Sequence, residues 1–194
     1  MAAPPSKIMK PLMRFCRSIV PIVVPEFVPV LIDPMAKKEE CFENVRIHIE
    51  KYGGEAQHGW AIWEWPKVYF EAEFHCIWRS TEGKLVDITP SEPPYPWILF
   101  LPDPLRVYKD RLVNNIRKPL IRDKLLDEFY RAAHDWHCLK RLRFLPGFVE
   151  TPESQNTILE LIQYRRSLDR KMLDRFGDSL LPIMKSRLSS PMPQ

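Results

Sequence analysis

Two hydrophobic periods alternate along the chain. In residues 38–52 (KEECFENVRIHIEKY) the apolar positions Phe42, Val45, Ile49 and Tyr52 recur at helical spacing, which predicts one helix with a single apolar stripe. Glu39, Glu40 and Glu43 crowd its start, where the positive end of the helix dipole favours carboxylates, and Gly53-Gly54 ends it. Cys41 therefore falls near a helix N-terminus. From Gly59 the period becomes two. Gly59–Trp65 reads as a strand, Pro66-Lys67 as a turn, and Val68–Trp78 as a second strand. One face of the second strand carries Val68, Phe70, Ala72, Phe74, Cys76 and Trp78. The other carries Tyr69, Glu71, Glu73, His75 and Ile77. Ser80–Gly83 is a turn, Lys84–Thr89 a third strand closed by Pro90, and Trp97–Leu101 a short fourth. Strands joined by such short turns predict an antiparallel meander.

Beyond Pro104 the helical period returns. Leu105–Asn115 reads as one helix, Ile121–Leu142 as a second, and Thr151–Phe176 as a third that starts on Thr-Pro-Glu and stops at Gly177. The predicted class is α+β: a helix packed on an antiparallel sheet of about four strands, followed by a helical C-terminal lobe. The predicted division is a Pro-rich extended arm over 1–35, an α+β core over 36–104, a basic helical lobe over 105–180 and a flexible tail over 181–194. The arm rests on Pro11, Pro21, Pro25, Pro29 and Pro34, which argue against a long helix or a central strand.

Composition narrows the function classes. With 45% hydrophobic and 28% charged residues, whole-chain disorder is excluded. The 20 prolines among 194 residues are about twice the usual share, which disfavours a simple helical bundle. Cys16, Cys41, Cys76 and Cys138 form no CxxC pair and are too scattered for a disulfide framework, so a reducing, cytoplasmic setting is expected. No apolar run is long enough for a transmembrane helix. Residues 1–104 hold 11 Lys/Arg against 14 Asp/Glu, whereas residues 105–194 hold 18 against 11. That basic second half offers a surface for nucleic acid or an acidic partner, unless its interleaved acids make it an ordinary solvated face.

Three side chains carry the sharpest chemistry: Cys41 at a helix start, His75 in mid-strand, and Asp87 on the next strand. A turn centred near Ser80–Gly83 pairs residue numbers summing to about 163, which sets Asp87 one step from facing His75. A thiolate is a nucleophile whose formation a helix N-terminus favours. A neighbouring imidazole shares its proton, and a carboxylate fixes the imidazole tautomer.

The stretch EFHCIWRSTEGKLVDITP resembles the His–Asp segment of the transglutaminase-like branch of the papain-like cysteine hydrolases, through His75, Trp78, Gly83, Asp87 and Thr89-Pro90. Cys41-Phe42-Glu43-Asn44-Val45 stands where that family places its nucleophile. The resemblance covers roughly residues 38–101 and implies a Cys41–His75–Asp87 triad acting on an amide or isopeptide bond of a protein or peptide, without a cofactor. Gln57, Asn44, Trp78 and Glu73 are the candidates for oxyanion stabilisation or substrate binding. Two departures stand out. Trp78 follows His75 by three residues rather than the family's two, and three glutamates around Cys41 oppose thiolate formation.

Other readings remain open. Glu71, Glu73 and His75, with His58, offer donors for a divalent metal in a metal-dependent hydrolase. Cys41, His75 and Cys76 offer a zinc set, although adjacent strand residues point to opposite faces. His134, His137 and Cys138 offer another on a helix. Trp60, Trp63, Trp65 and Trp78 suggest an aromatic groove, in which case the chain is a non-enzymatic binding module for protein or nucleic acid.

Overall fold

The computed structural model describes residues 2–109, 112–143 and 147–193. Its elements are α1 (Lys10–Ile19), β1 (Glu26–Pro29), α2 (Cys41–Tyr52), β2 (Glu55–Trp65), β3 (Tyr69–Arg79), β4 (Leu85–Val86), β5 (Trp97–Pro102), β6 (Ile116–Pro119), α3 (Lys124–Arg143) and α4 (Pro152–Ser189). The class is α+β, with a six-stranded sheet in the order β1-β5-β2-β3-β4 and β6 also paired to β3. Every strand pair is antiparallel.

The period-two alternation places the core on both faces of the sheet. On one face Trp60, Ile62, Phe70, Ala72, Phe74, Leu99 and Leu101 pack against Leu12, Phe15 and Cys16 of α1. Further along that face, Cys41 and Val45 of α2 pack on Cys76, Val86 and Ile88. The opposite face buries Val28, Ala61, Ile77, Ile98 and Phe100. Trp65 and Tyr69 then join Leu126 of α3 and Met172 and Leu180 of α4, which docks the helical lobe.

Several expectations change. Residues 1–35 are not one extended arm, because Lys10–Ile19 is helical and buries Leu12, Phe15 and Cys16. Pro11 falls in the first turn, where its missing N–H costs nothing, and the later prolines come after the helix has ended. Residues 105–115 form no helix among those described, and Asp110 and Arg111 lie outside the described residues. Leu105 is 92% exposed, so this stretch has no buried stripe to drive helix formation. The edge strand β6 follows instead, in a segment without hydrophobic alternation. The stop at Gly177 and the loose tail also give way, since α4 runs through Gly177 and Pro182 to Ser189. Tertiary contacts carry it. Trp65 Nε1 donates to Phe176 O and Ser179 Oγ (3.2 Å each), Trp97 Nε1 to Ser190 O (3.3 Å), and Arg187 Nε to Pro4 O (3.3 Å). Its start on Thr151 stands as read, with the hydroxyl accepting Ser154 N–H at 3.2 Å.

Candidate active site

The outer edge of β3 is paired at both ends and open in between. β6 pairs with Tyr69–Ala72 and β4 with Trp78–Arg79, so among the described residues no strand covers 73–77 on that side. The register of β4 sums to 164, and the chain leaves β3 after Val86. Asp87 instead makes a parallel bridge to Val30, donating its N–H to Pro29 O (3.0 Å) and accepting Leu31 N–H (2.8 Å). The strand thus peels away one residue before the carboxylate, which points back across the gap at His75.

His75 Nε2 lies 3.0 Å from Asp87 Oδ2, with side-chain exposures of 13% and 6%. The second oxygen, Oδ1, accepts Thr89 N–H at 3.0 Å. Cys41, at the first position of α2, is buried and is, with Asp87, the group that acts on the His75 ring. With Nε2 turned to Asp87, Nδ1 is the nitrogen left for the thiol. Burial alone would push His75 down. The charges of Asp87 and Cys41 and their hydrogen bonds outweigh it, holding the imidazole well above its ordinary value. The structure therefore brings Cys41, His75 and Asp87 together.

Asn44 closes the arrangement into a ring. It accepts Lys37 N–H (2.9 Å) and donates to Lys37 O (2.7 Å) and Thr89 Oγ1 (3.2 Å). Thr89 holds Asp87, Asp87 holds His75, and His75 meets Cys41, three residues before Asn44 on the same helix. The segment before Cys41 is latched further by His48 Nδ1 on Asp33 Oδ2 (2.5 Å) and by Lys38 on Glu92. These two pairings are absent from any motif reading of the sequence.

Two of the three glutamates around Cys41 are paired with cations. Glu43 is paired to Arg46 by two hydrogen bonds (2.6 and 2.8 Å), and Glu40 lies 3.8 Å from Lys37. No side chain caps the start of α2, so the positive end of its dipole stays directed at Cys41 and the space beside it.

Of the residues proposed to support the triad, Glu73 lies on the His75 face, Asn44 is built into the ring, and Gln57 and Trp78 are held elsewhere. Glu73 shares the His75 face of β3, accepts Trp63 Nε1 at 3.0 Å and is exposed. Burial by the surrounding chain pushes its carboxyl up, and His75 partly offsets that. Gln57 is engaged elsewhere, donating to His58 O (2.9 Å) and accepting from Arg79. Asn44 is consumed by the ring. Trp78 lies on the opposite face from His75, where it donates to Gly53 O (2.9 Å) and packs on His48.

The metal sets come apart. His58 points to the other face of β2 and stacks on Phe42 and Phe74. Glu71 is held by Arg117 (2.6 Å) and Asn115 (2.8 Å). His134 has Asn114 (3.2 Å) on Nδ1 and Cys138 (3.4 Å) on Nε2. No group of three metal-binding side chains occurs among the described residues. The four tryptophans do not share a groove: Trp60 is buried under α1, Trp65 under α4, and Trp63 and Trp78 lie on opposite faces. Part of the basic lobe's charge is paired, with Arg117 on Glu71 and Arg175 on Asp123, each at 2.6 Å.

All four cysteines are free, and burial pushes Cys16 up to about 12 and Cys76 higher still. No helix of the described residues is long and apolar enough to cross a membrane. Comparison with protein families, curated proteins and solved structures finds no match to this chain.

Proposed function

We propose that the protein is a cysteine-dependent hydrolase or acyltransferase acting on an amide or isopeptide bond of a protein or peptide. The supporting observation is the buried ring that joins Cys41, His75, Asp87, Thr89 and Asn44 at an uncapped helix start. Cys41 attacks the carbonyl carbon while its proton rests on His75 Nδ1. The tetrahedral oxyanion forms beside the first turn of α2, whose dipole favours negative charge. The C–N bond then breaks, His75 passes the proton to the departing amine, and a thioester remains on Cys41. Water resolves the thioester to an acid, and a second amine resolves it to a new amide. Asp87 keeps the imidazole in the tautomer with Nδ1 facing the thiol. A free thiol nucleophile suits the reducing cytoplasm.

The test is the pH dependence of alkylation at each cysteine, read by mass spectrometry in the wild type and in His75→Ala. The expected result is that Cys41 outpaces Cys138 at neutral pH, that Cys16 and Cys76 stay silent, and that His75→Ala removes the advantage. Equal rates at Cys41 in both proteins across the pH range would rule out the thiol–imidazole pair and the catalytic reading with it.

A further inference from the structure

Two neighbouring carboxylates on one face of β3 are treated differently. Glu71 is neutralised by Arg117 at 2.6 Å and receives Asn115 Nδ2 at 2.8 Å. Glu73, two residues closer to His75, receives the neutral indole N–H of Trp63 at 3.0 Å as its hydrogen bond among the described residues. Its side chain is exposed on the His75 face of β3, where the imidazole is the cation that acts on it. Glu39 stands on the other side of the nucleophile, two residues before Cys41. It is exposed and holds a left-handed backbone at φ 64°, and Glu71 and then Glu39 are the like charges that act on Glu73. Apart from His75 no cation acts on Glu73, since Arg165 of α4 is directed to Asp169, Glu71 and Glu39.

Resting on the catalytic reading above, we propose that Glu73 is its specificity-determining residue and that the site takes peptides bearing a lysine or arginine side chain beside the attacked carbonyl. A cation entering between Glu73 and Glu39 relieves their repulsion. It also gains a charge-assisted hydrogen bond from a carboxylate whose present donor is neutral. Trp63, half-buried with its ring 6.1 Å from that of Tyr95, supplies an aromatic wall next to the carboxylate, the combination that favours ammonium and guanidinium groups over neutral ones. The charge imbalance acts on the approach of a ligand as well as on its residence, since a cleft lined by one sign of charge raises the encounter rate of the opposite sign.

The test needs no identified substrate. Methanethiosulfonates with a trimethylammonium-ethyl, a sulfonato-ethyl or a neutral group react with a thiolate by the same step. Sulfur attacks the sulfenyl sulfur, a disulfide forms and methanesulfinate leaves. Second-order rate constants are measured at Cys41 by peptide mass spectrometry and normalised to a small free thiol. The expected result is a cation-to-anion ratio well above one for the wild type, shrinking with added salt, and a fall of about tenfold in Glu73→Gln. An unchanged ratio in a folded Glu73→Gln overturns the proposal, as does a wild-type ratio of one. The neutral reagent reports the thiol–imidazole pair by itself, so a Cys41 slow toward it sinks the catalytic reading, whereas a fast Cys41 with no charge preference sinks only the assignment of Glu73.

Discussion

Replacing Asp87 by asparagine separates the charge of the carboxylate from its shape. Asp87 accepts on both oxygens, Thr89 N–H on Oδ1 and His75 on Oδ2, each at 3.0 Å. An amide has one acceptor oxygen. The Thr89 donor is a backbone N–H that cannot change character, so the amide oxygen stays with it and the NH2 group turns toward His75. Two donors cannot face each other, so Nε2 must lose its proton and the ring carries it on Nδ1, toward Cys41. In that tautomer the imidazole cannot accept the thiol proton. An unassisted thiol is about 3% thiolate at pH 7, which bounds the loss at about 30-fold. A stabilised thiolate is also intrinsically less nucleophilic, so the expected fall in alkylation rate is about tenfold.

The same substitution has a thermodynamic signature. Both partners are largely buried, at 13% and 6% side-chain exposure, and a hydrogen bond between charged groups contributes about 2 kcal/mol. His75 is held above its ordinary value in the folded protein despite burial, chiefly by Asp87. The folded state therefore binds the proton more tightly than the unfolded one. That stabilisation is complete below about pH 6.5 and is lost as pH rises through the raised folded value. Urea midpoints of the wild type and Asp87→Asn should differ most at pH 6 and draw together at alkaline pH. A folded Asp87→Asn protein that alkylates Cys41 at the wild-type rate, with a pH-independent difference in midpoint, would refute the assigned tautomer and the role of the carboxylate.

Two further substitutions test the scaffold around the site. Gly59 pairs directly with His75, and a Cβ there would lie 2.4 Å from Leu101 O and 2.5 Å from Phe100 Cζ. Gly59→Ala should lower stability by about 3 kcal/mol, seen as a lower urea midpoint, because the clash is partly with backbone. Asn44→Ala removes three hydrogen bonds and leaves the Thr89 and Lys37 groups without them. It should cost about 2 kcal/mol and increase hydrogen exchange in residues 33–40, while a same-sized cost without increased exchange would argue against the ring.

The core of the fold was legible because its signals are local. The alternation from Val68 to Trp78 separates the two faces of β3, and the stripe of Phe42, Val45 and Ile49 marks α2. What escaped was set by distant partners. α1 forms despite flanking prolines because Phe15 and Cys16 have a sheet face to fill. α4 continues past Gly177 because Trp65 and Trp97 hold its far half. β6 exists because β3 offers an edge, not because IRKP has strand character. The triad was readable as residue types in order, and the turn geometry came within one residue of the true register. Gln57 and Asn44 were misjudged for the same reason that β6 was missed: an amide's freedom depends on what else claims it. Here Arg79, Lys37 and Thr89 do.

The gap in the β3 edge ties these observations together. A fully paired β4 would have carried Asp87 alongside β3, its backbone hydrogen bonds spent on residue 77 and its side chain fixed by the pleat. The chain instead transfers Asp87 to the segment after β1, through Pro29 O and Leu31 N–H, and that segment leads directly to Cys41. Asp87 is thereby tied to the segment that precedes Cys41, and His75 comes from the sheet. The cost is a run of β3 without strand partners, which a merely structural sheet would close to protect its edge. Here the buried carboxylate of Asp87 faces it. The open stretch carries His75, which Asp87 reaches at 3.0 Å from the segment that has left the sheet.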